Sequence, residues 1–86
     1  MNIGAVKRTI REGNHAARQT KQVLERVAGE AAAAERLARL TVHDSANDDA
    51  KAGLAILAGL DREVELTIRR VDAAVEHADT YLHALG

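Results

Sequence analysis

The chain has 86 residues, a net charge of −1 and no cysteine. That length allows one small domain. The missing cysteines exclude a disulfide scaffold, a thiolate zinc site and a thiol nucleophile. Near-neutral charge argues against a dedicated nucleic-acid binder, and no run approaches the roughly 18 apolar residues of a membrane span.

Apolar residues make up 47% of the chain, aromatics 1%, and there is no proline. Much of the apolar share is alanine. Ala, Arg, Glu and Leu dominate, and all four favour helix; without proline no helix is forced to break. The start of the chain has no basic segment leading into an apolar run, so a Sec-type signal peptide is not expected. A cytoplasmic location is expected, with export by a leaderless route as the alternative.

The first predicted element is a helix over about residues 3–42. Ile3, Val6, Ile10, Gly13, Ala17, Thr20, Leu24, Val27, Ala31 and Ala34 step by three or four, one face of a helix. Leu37 and Leu40 slip off this row, which predicts a rotation of the face near its end. Residues 43–47 then carry the one concentrated turn signal, His43-Asp44-Ser45-Ala46-Asn47. His43 suits the negative end of the preceding helix. Ser45 or Asn47 can cap the next one, and Ser45 with Asp48 resembles a capping box. The second predicted helix covers about residues 48–85. Its row, Leu57, Leu60, Val64, Ile68, Val71, Val75, Ala78, Leu82 and Leu85, has the mean step of a coiled coil.

These elements predict a single all-α domain over residues 1–86, a long antiparallel two-helix hairpin with coiled-coil character. A turn near Ala46 pairs residues whose numbers sum to about 92. The expected seam is Ile10, Ala17 and Leu24 against Val64, Ile68, Val71, Val75 and Leu82. Residues 1–42 carry a net +4 and residues 43–86 a net −5, so the two helices attract. One hairpin buries little for its length. A second row on helix 2, Leu60, Thr67, Ala74 and Tyr81, recurs by sevens, and helix 1 has a matching set in Ala16, Val23, Leu37 and Leu40. The surplus predicts a four-helix bundle, made by dimerisation or with another hairpin. The expected partner interface is Val23, Leu37, Leu40, Leu60, Ala74 and Tyr81.

The residues with chemical potential read more simply as surface or caps. His15 and His77 sum to 92, with Glu76 and Asp79 nearby, but no His-x-x-x-His or Glu-x-x-His pair supports a metal. His83 and Asp79 have the spacing of an exposed helical pair. Lys7, Arg11, Arg18 and Lys21 form a basic stripe without aromatics for base stacking, so it reads as a solvated face or a landing strip for an acidic helix. His43, Asp44 and Ser45 lie at a hairpin tip, which offers neither pocket nor oxyanion hole. No catalytic residue, cofactor or metal is expected, and the chain reads as a non-enzyme. The Ala and Arg bias is that of a GC-rich bacterial genome.

The length, the two long helices and the central polar turn resemble the small Trp-x-Gly helical hairpins of type VII secretion. The opening Met1-Asn2-Ile3-Gly4-Ala5-Val6-Lys7 and the ending Tyr81-Leu82-His83-Ala84-Leu85 also resemble uncharacterised actinobacterial hairpin proteins, some encoded near polymorphic toxins. The turn carries no Trp-x-Gly, and Leu85 stands where the export signal after Tyr81 would place Asp or Glu. What the resemblance implies is pairing into a four-helix bundle and service as a partner. The expected function is a non-catalytic protein-interaction module: an adaptor, targeting partner or chaperone, for a toxin or a secreted protein. The alternatives are a self-assembling homo-oligomer and an antitoxin or immunity-type regulator, which would use Asp61, Glu65, Asp72, Glu76 and Asp79.

Overall fold

A computed structural model describes residues 2–86. It contains two helices, α1 (Ile3–Val42) and α2 (Asp48–Ala84), folded against each other into a rod 63 × 15 × 15 Å. Among the described residues there is no strand.

Local side-chain chemistry sets the helix ends. Asn2 caps α1, its side-chain oxygen accepting from the Ala5 N–H at 3.2 Å. At the other end the Leu40 carbonyl accepts from His43 Nδ1 at 3.3 Å. Asn47 caps α2 by accepting from the Ala50 N–H at 3.0 Å. Asp48 and Asp49 then fall in the first turn, where the positive end of the helix dipole favours them. The suggested Ser45–Asp48 capping box does not form. Ser45 turns its hydroxyl to the Asn47 N–H at 3.1 Å, within the turn, and so braces the residue that caps.

The helices run antiparallel. Asn14 meets Asp79 and Lys21 meets Asp72; both pairs of numbers sum to 93, one residue from the expected register. Along α1 the inward row is Ile10, Asn14, Ala17, Lys21, Leu24, Ala28, Ala31, Glu35, Ala38 and Val42, all buried or half-buried. Along α2 it is Ala50, Leu54, Leu57, Asp61, Val64, Ile68, Val71, Val75, Ala78, Leu82 and Leu85. Both rows step by four and three alternately, the heptad period.

These rows correct the sequence reading at five places between Ile10 and Leu85. Asn14, Lys21, Ala28, Glu35 and Asp61 turn inward, and their neighbours Gly13, Thr20, Val27, Ala34 and Leu60 stand one position round the helix, Val27 half-buried and the others exposed; Ile3, at the open end, is also exposed on the expected row. The physical reason at the polar positions is that a polar side chain on a two-stranded seam reaches the edge and keeps its polar end solvated or paired. The face does not rotate near the end of α1. Ala38 and Val42 continue the row, while Leu37 and Leu40 point to solvent.

The core is thin. Among the described residues Ala31 and Val64 are the two buried apolar ones, and no large side chain is fully enclosed. The rod exposes 6394 Å², against about 4,900 Å² for a folded monomer of 9.2 kDa.

Candidate interaction surface

A two-helix rod has two broad sides. In heptad letters the inward rows are a (Asn14, Lys21, Ala28, Glu35; Leu54, Asp61, Ile68, Val75) and d (Ile10, Ala17, Leu24, Ala31; Leu57, Val64, Val71, Ala78). In an antiparallel pair the e positions of both helices share one side and the g positions share the other. The b and c positions lie just outside e and g respectively.

The e side is charged and holds the helices together. Asp79 is its centre. Its carboxylate accepts from the Asn14 amide at 2.7 Å and from the Arg18 guanidinium at 3.3 Å. Lys21 reaches Asp72 at 2.8 Å and Glu25 at 3.8 Å. The hydrogen bond to Asp72, and then its charge, hold the Lys21 ammonium above the ordinary lysine pKa; Glu25 adds to the rise and partial desolvation opposes it. Lys7 donates to the Gly86 carbonyl. Asn14 is 6% exposed, and with Asp79 as acceptor its buried amide is satisfied. Glu35 enters the seam with its side chain 13% exposed and pairs with Arg39 on its own helix.

The basic stripe expected on helix 1 is therefore largely used within the chain: Arg18 and Lys21 bond to α2, and Lys7 bonds to Gly86 just beyond it. So are two of the acids considered for an immunity role, Asp72 and Asp79, while Asp61 is half-buried in the seam. Glu65 and Glu76 are exposed.

The g side is different in kind. Its rows are Val6, Gly13, Thr20, Val27, Ala34 and Thr41 on α1, and Gly53, Leu60, Thr67, Ala74 and Tyr81 on α2. None is charged. The adjoining c positions add Ala16, Val23, Leu37 and Ile56, interrupted by the charges of Glu30, Glu63 and Arg70. Val23, Leu37, Ile56, Leu60 and Tyr81 are 47–72% exposed. They form an apolar band running most of the length of the rod.

Of the expected interface residues, Val23, Leu37, Leu60, Ala74 and Tyr81 lie on this side, and all are exposed. Leu40 is also exposed but sits at an f position, diametrically opposite the seam. Ile56 belongs to the band and was missed in the sequence. It stands outside the sevenfold row of Leu60, and only its register with Leu37 across the hairpin brings it in.

The glycines of the band are not required by the hairpin. A Cβ built at Gly13 or Gly53 would meet nothing within 4 Å, yet each glycine costs a helix about 1 kcal/mol relative to alanine.

The histidines do not converge. His15 is at a b position and His77 at a c position, on opposite sides of the rod. His83 takes the Asp79 backbone carbonyl at 2.7 Å and not its carboxylate. Among the described residues no three metal-ligating side chains cluster, and no helix is long and apolar enough to cross a membrane. One concavity of about 520 Å³ is a shallow groove along α1 between Ala32 and His43, lined by residues of that helix and its C-cap. Compared with known proteins, the chain matches no family model, no curated protein and no solved structure.

Proposed function

We propose that the chain is a non-catalytic protein-interaction module that buries its uncharged g side against a helical protein surface. The observation that carries this reading is the contrast between the two sides. One side is charged and joins the helices; the other exposes Val23, Leu37, Ile56, Leu60 and Tyr81 in one band. Apolar surface of this extent, exposed along one side of a small rod, marks an interaction site. The excess of exposed area over a compact monomer of this mass supports the same reading. The exposed band supports an adaptor, targeting or chaperone role.

The test is affinity capture of the full chain from its source cells, with the complex weighed by native mass spectrometry. A fixed-stoichiometry complex with another protein, or a multiple of the 9.2 kDa chain, is expected. Leu60→Asp is expected to abolish that complex while leaving helix content intact, because Leu60 lies outside the seam. A lone chain at its own mass, or a Leu60→Asp variant that assembles like wild type, overturns the reading.

A further inference from the structure

We infer that the occupant of the g side is a second copy of this chain, packed with both turns at the same end and α1 of each copy over α2 of the other. The inference rests on the interaction-module reading above and names its partner.

The charge distribution selects this arrangement. The α1 half carries +4 and the α2 half −5. With the two-fold axis along the rod, each basic helix lies over an acidic one. With the axis across the rod, and the turns at opposite ends, α1 would face α1 and α2 would face α2, setting like charges together.

Side-chain size selects the same arrangement. Residues level with one another across the hairpin have numbers summing to about 93, as Asn14–Asp79 and Lys21–Asp72 show. In the same-end dimer Tyr81 therefore lies over Gly13 of the second copy, and Leu60 over Ala34. Large meets small at both levels, as interdigitating layers require. At the rim, Leu37 lies level with Ile56 of the second copy, and these are among the most exposed apolar side chains in the molecule. The reversed arrangement brings Leu60 within a turn of Tyr81, large against large. Gly13 now has a purpose: the hairpin leaves open space over it, and the second copy's ring occupies that space. The area is also sufficient. A face 63 Å long and 15 Å wide offers about 900 Å² per copy, comparable to the roughly 800 Å² per partner of a specific interface.

The absence of cysteine makes the test clean. In the full-length chain, Leu37→Cys combined with Ile56→Cys is expected to give, on mild oxidation, a covalent species of twice the 9.2 kDa chain mass. Within one hairpin these c positions point away from each other, beyond disulfide reach. Val23→Cys alone reports the reversed arrangement, in which two copies of residue 23 approach near the axis, and it is expected to stay monomeric. Cross-linking through Val23→Cys, or through both variants alike, overturns the same-end dimer. If neither variant cross-links and wild type sediments at single-chain mass, the second copy is overturned. The broader reading then stands only if Leu60→Asp still abolishes capture of another protein. As an independent check, Gly13→Leu is expected to keep helix content and weaken self-association at least tenfold. Unchanged association overturns the proposal.

Discussion

At the residue scale the most informative side chain is Asn14. A polar residue on a coiled-coil seam fixes register at a cost in stability, and Asn14 has one fitting acceptor, Asp79, with Arg18 closing the group. Asp79→Ala is expected to cost about 1–3 kcal/mol, because a buried amide loses its partner. Asn14→Leu, which removes the polar group itself, is expected to be near neutral or stabilising. Chemical denaturation of the two variants, compared with wild type, reads this asymmetry. Lys21 gives a pH signature. Its pKa is raised in the folded chain by Asp72, so folding favours the protonated form. The stabilisation is complete below the unfolded lysine value of about 10.4 and fades as the pH climbs through the raised folded value. Lys21→Met is expected to remove that alkaline loss, seen by comparing denaturation midpoints at neutral and strongly alkaline pH. Neither Asn14 nor Lys21 was legible as a seam residue. Each has an uncharged neighbour, Gly13 or Thr20, that satisfies the same three-and-four stepping. Hydropathy alone prefers the neighbour, and only the acids on the opposing helix reveal the correct choice.

At the scale of the helices, the ends were readable and the interiors partly so. The turn cluster predicted a break at residues 43–47, and the structure breaks there, since Asn and Ser compete for backbone hydrogen bonds wherever a helix can end. Choosing between Ser45 and Asn47 needed the geometry, because both chemistries serve. Asn47→Ala is expected to cost about 1 kcal/mol. That corresponds to roughly 4–8 °C in the thermal midpoint of a domain this small. Ser45→Ala is expected to cost less, its hydroxyl bracing the cap from one side. Gly29 and Gly59 face open space in α1 and α2. Alanine at either is expected to raise helix stability by about 1 kcal/mol, measurable by thermal circular dichroism.

For the whole molecule, the antiparallel register was within one residue of that read from the sequence, because the attraction of opposite halves and the position of the turn leave little freedom. The uncharged side was legible on α2, where Leu60, Thr67, Ala74 and Tyr81 recur by sevens. It was less so on α1, where Leu37 belongs to the band and Leu40, three residues later, lies on the far side. The same-end dimer carries one unfavourable level: Glu30 lies beside Glu63 of the second copy at the rim. Glu63→Lys is accordingly expected to tighten the assembly and to raise its thermal midpoint at every protein concentration above the dissociation constant, as scanning calorimetry over a dilution series would show. No change, or a looser assembly, would count against that geometry.

The bonds that join the helices are unevenly placed. Among the described residues, every side-chain polar link from α1 to the second half of the chain joins residues 7–21 to residues 72–86. The half nearer the turn is joined by its loop and by a seam in which Ala28, Ala31 and Ala38 of α1 meet Leu54, Leu57 and Val64 of α2. The two halves therefore answer to different solvents. Salt screens exposed ion pairs and leaves apolar contacts intact or strengthened. Raising ionic strength should loosen the polar links at the free ends, with faster amide exchange in residues 7–21, while the part beside the turn is unaffected. The rod behaves as tongs with a fixed pivot and ionic tips.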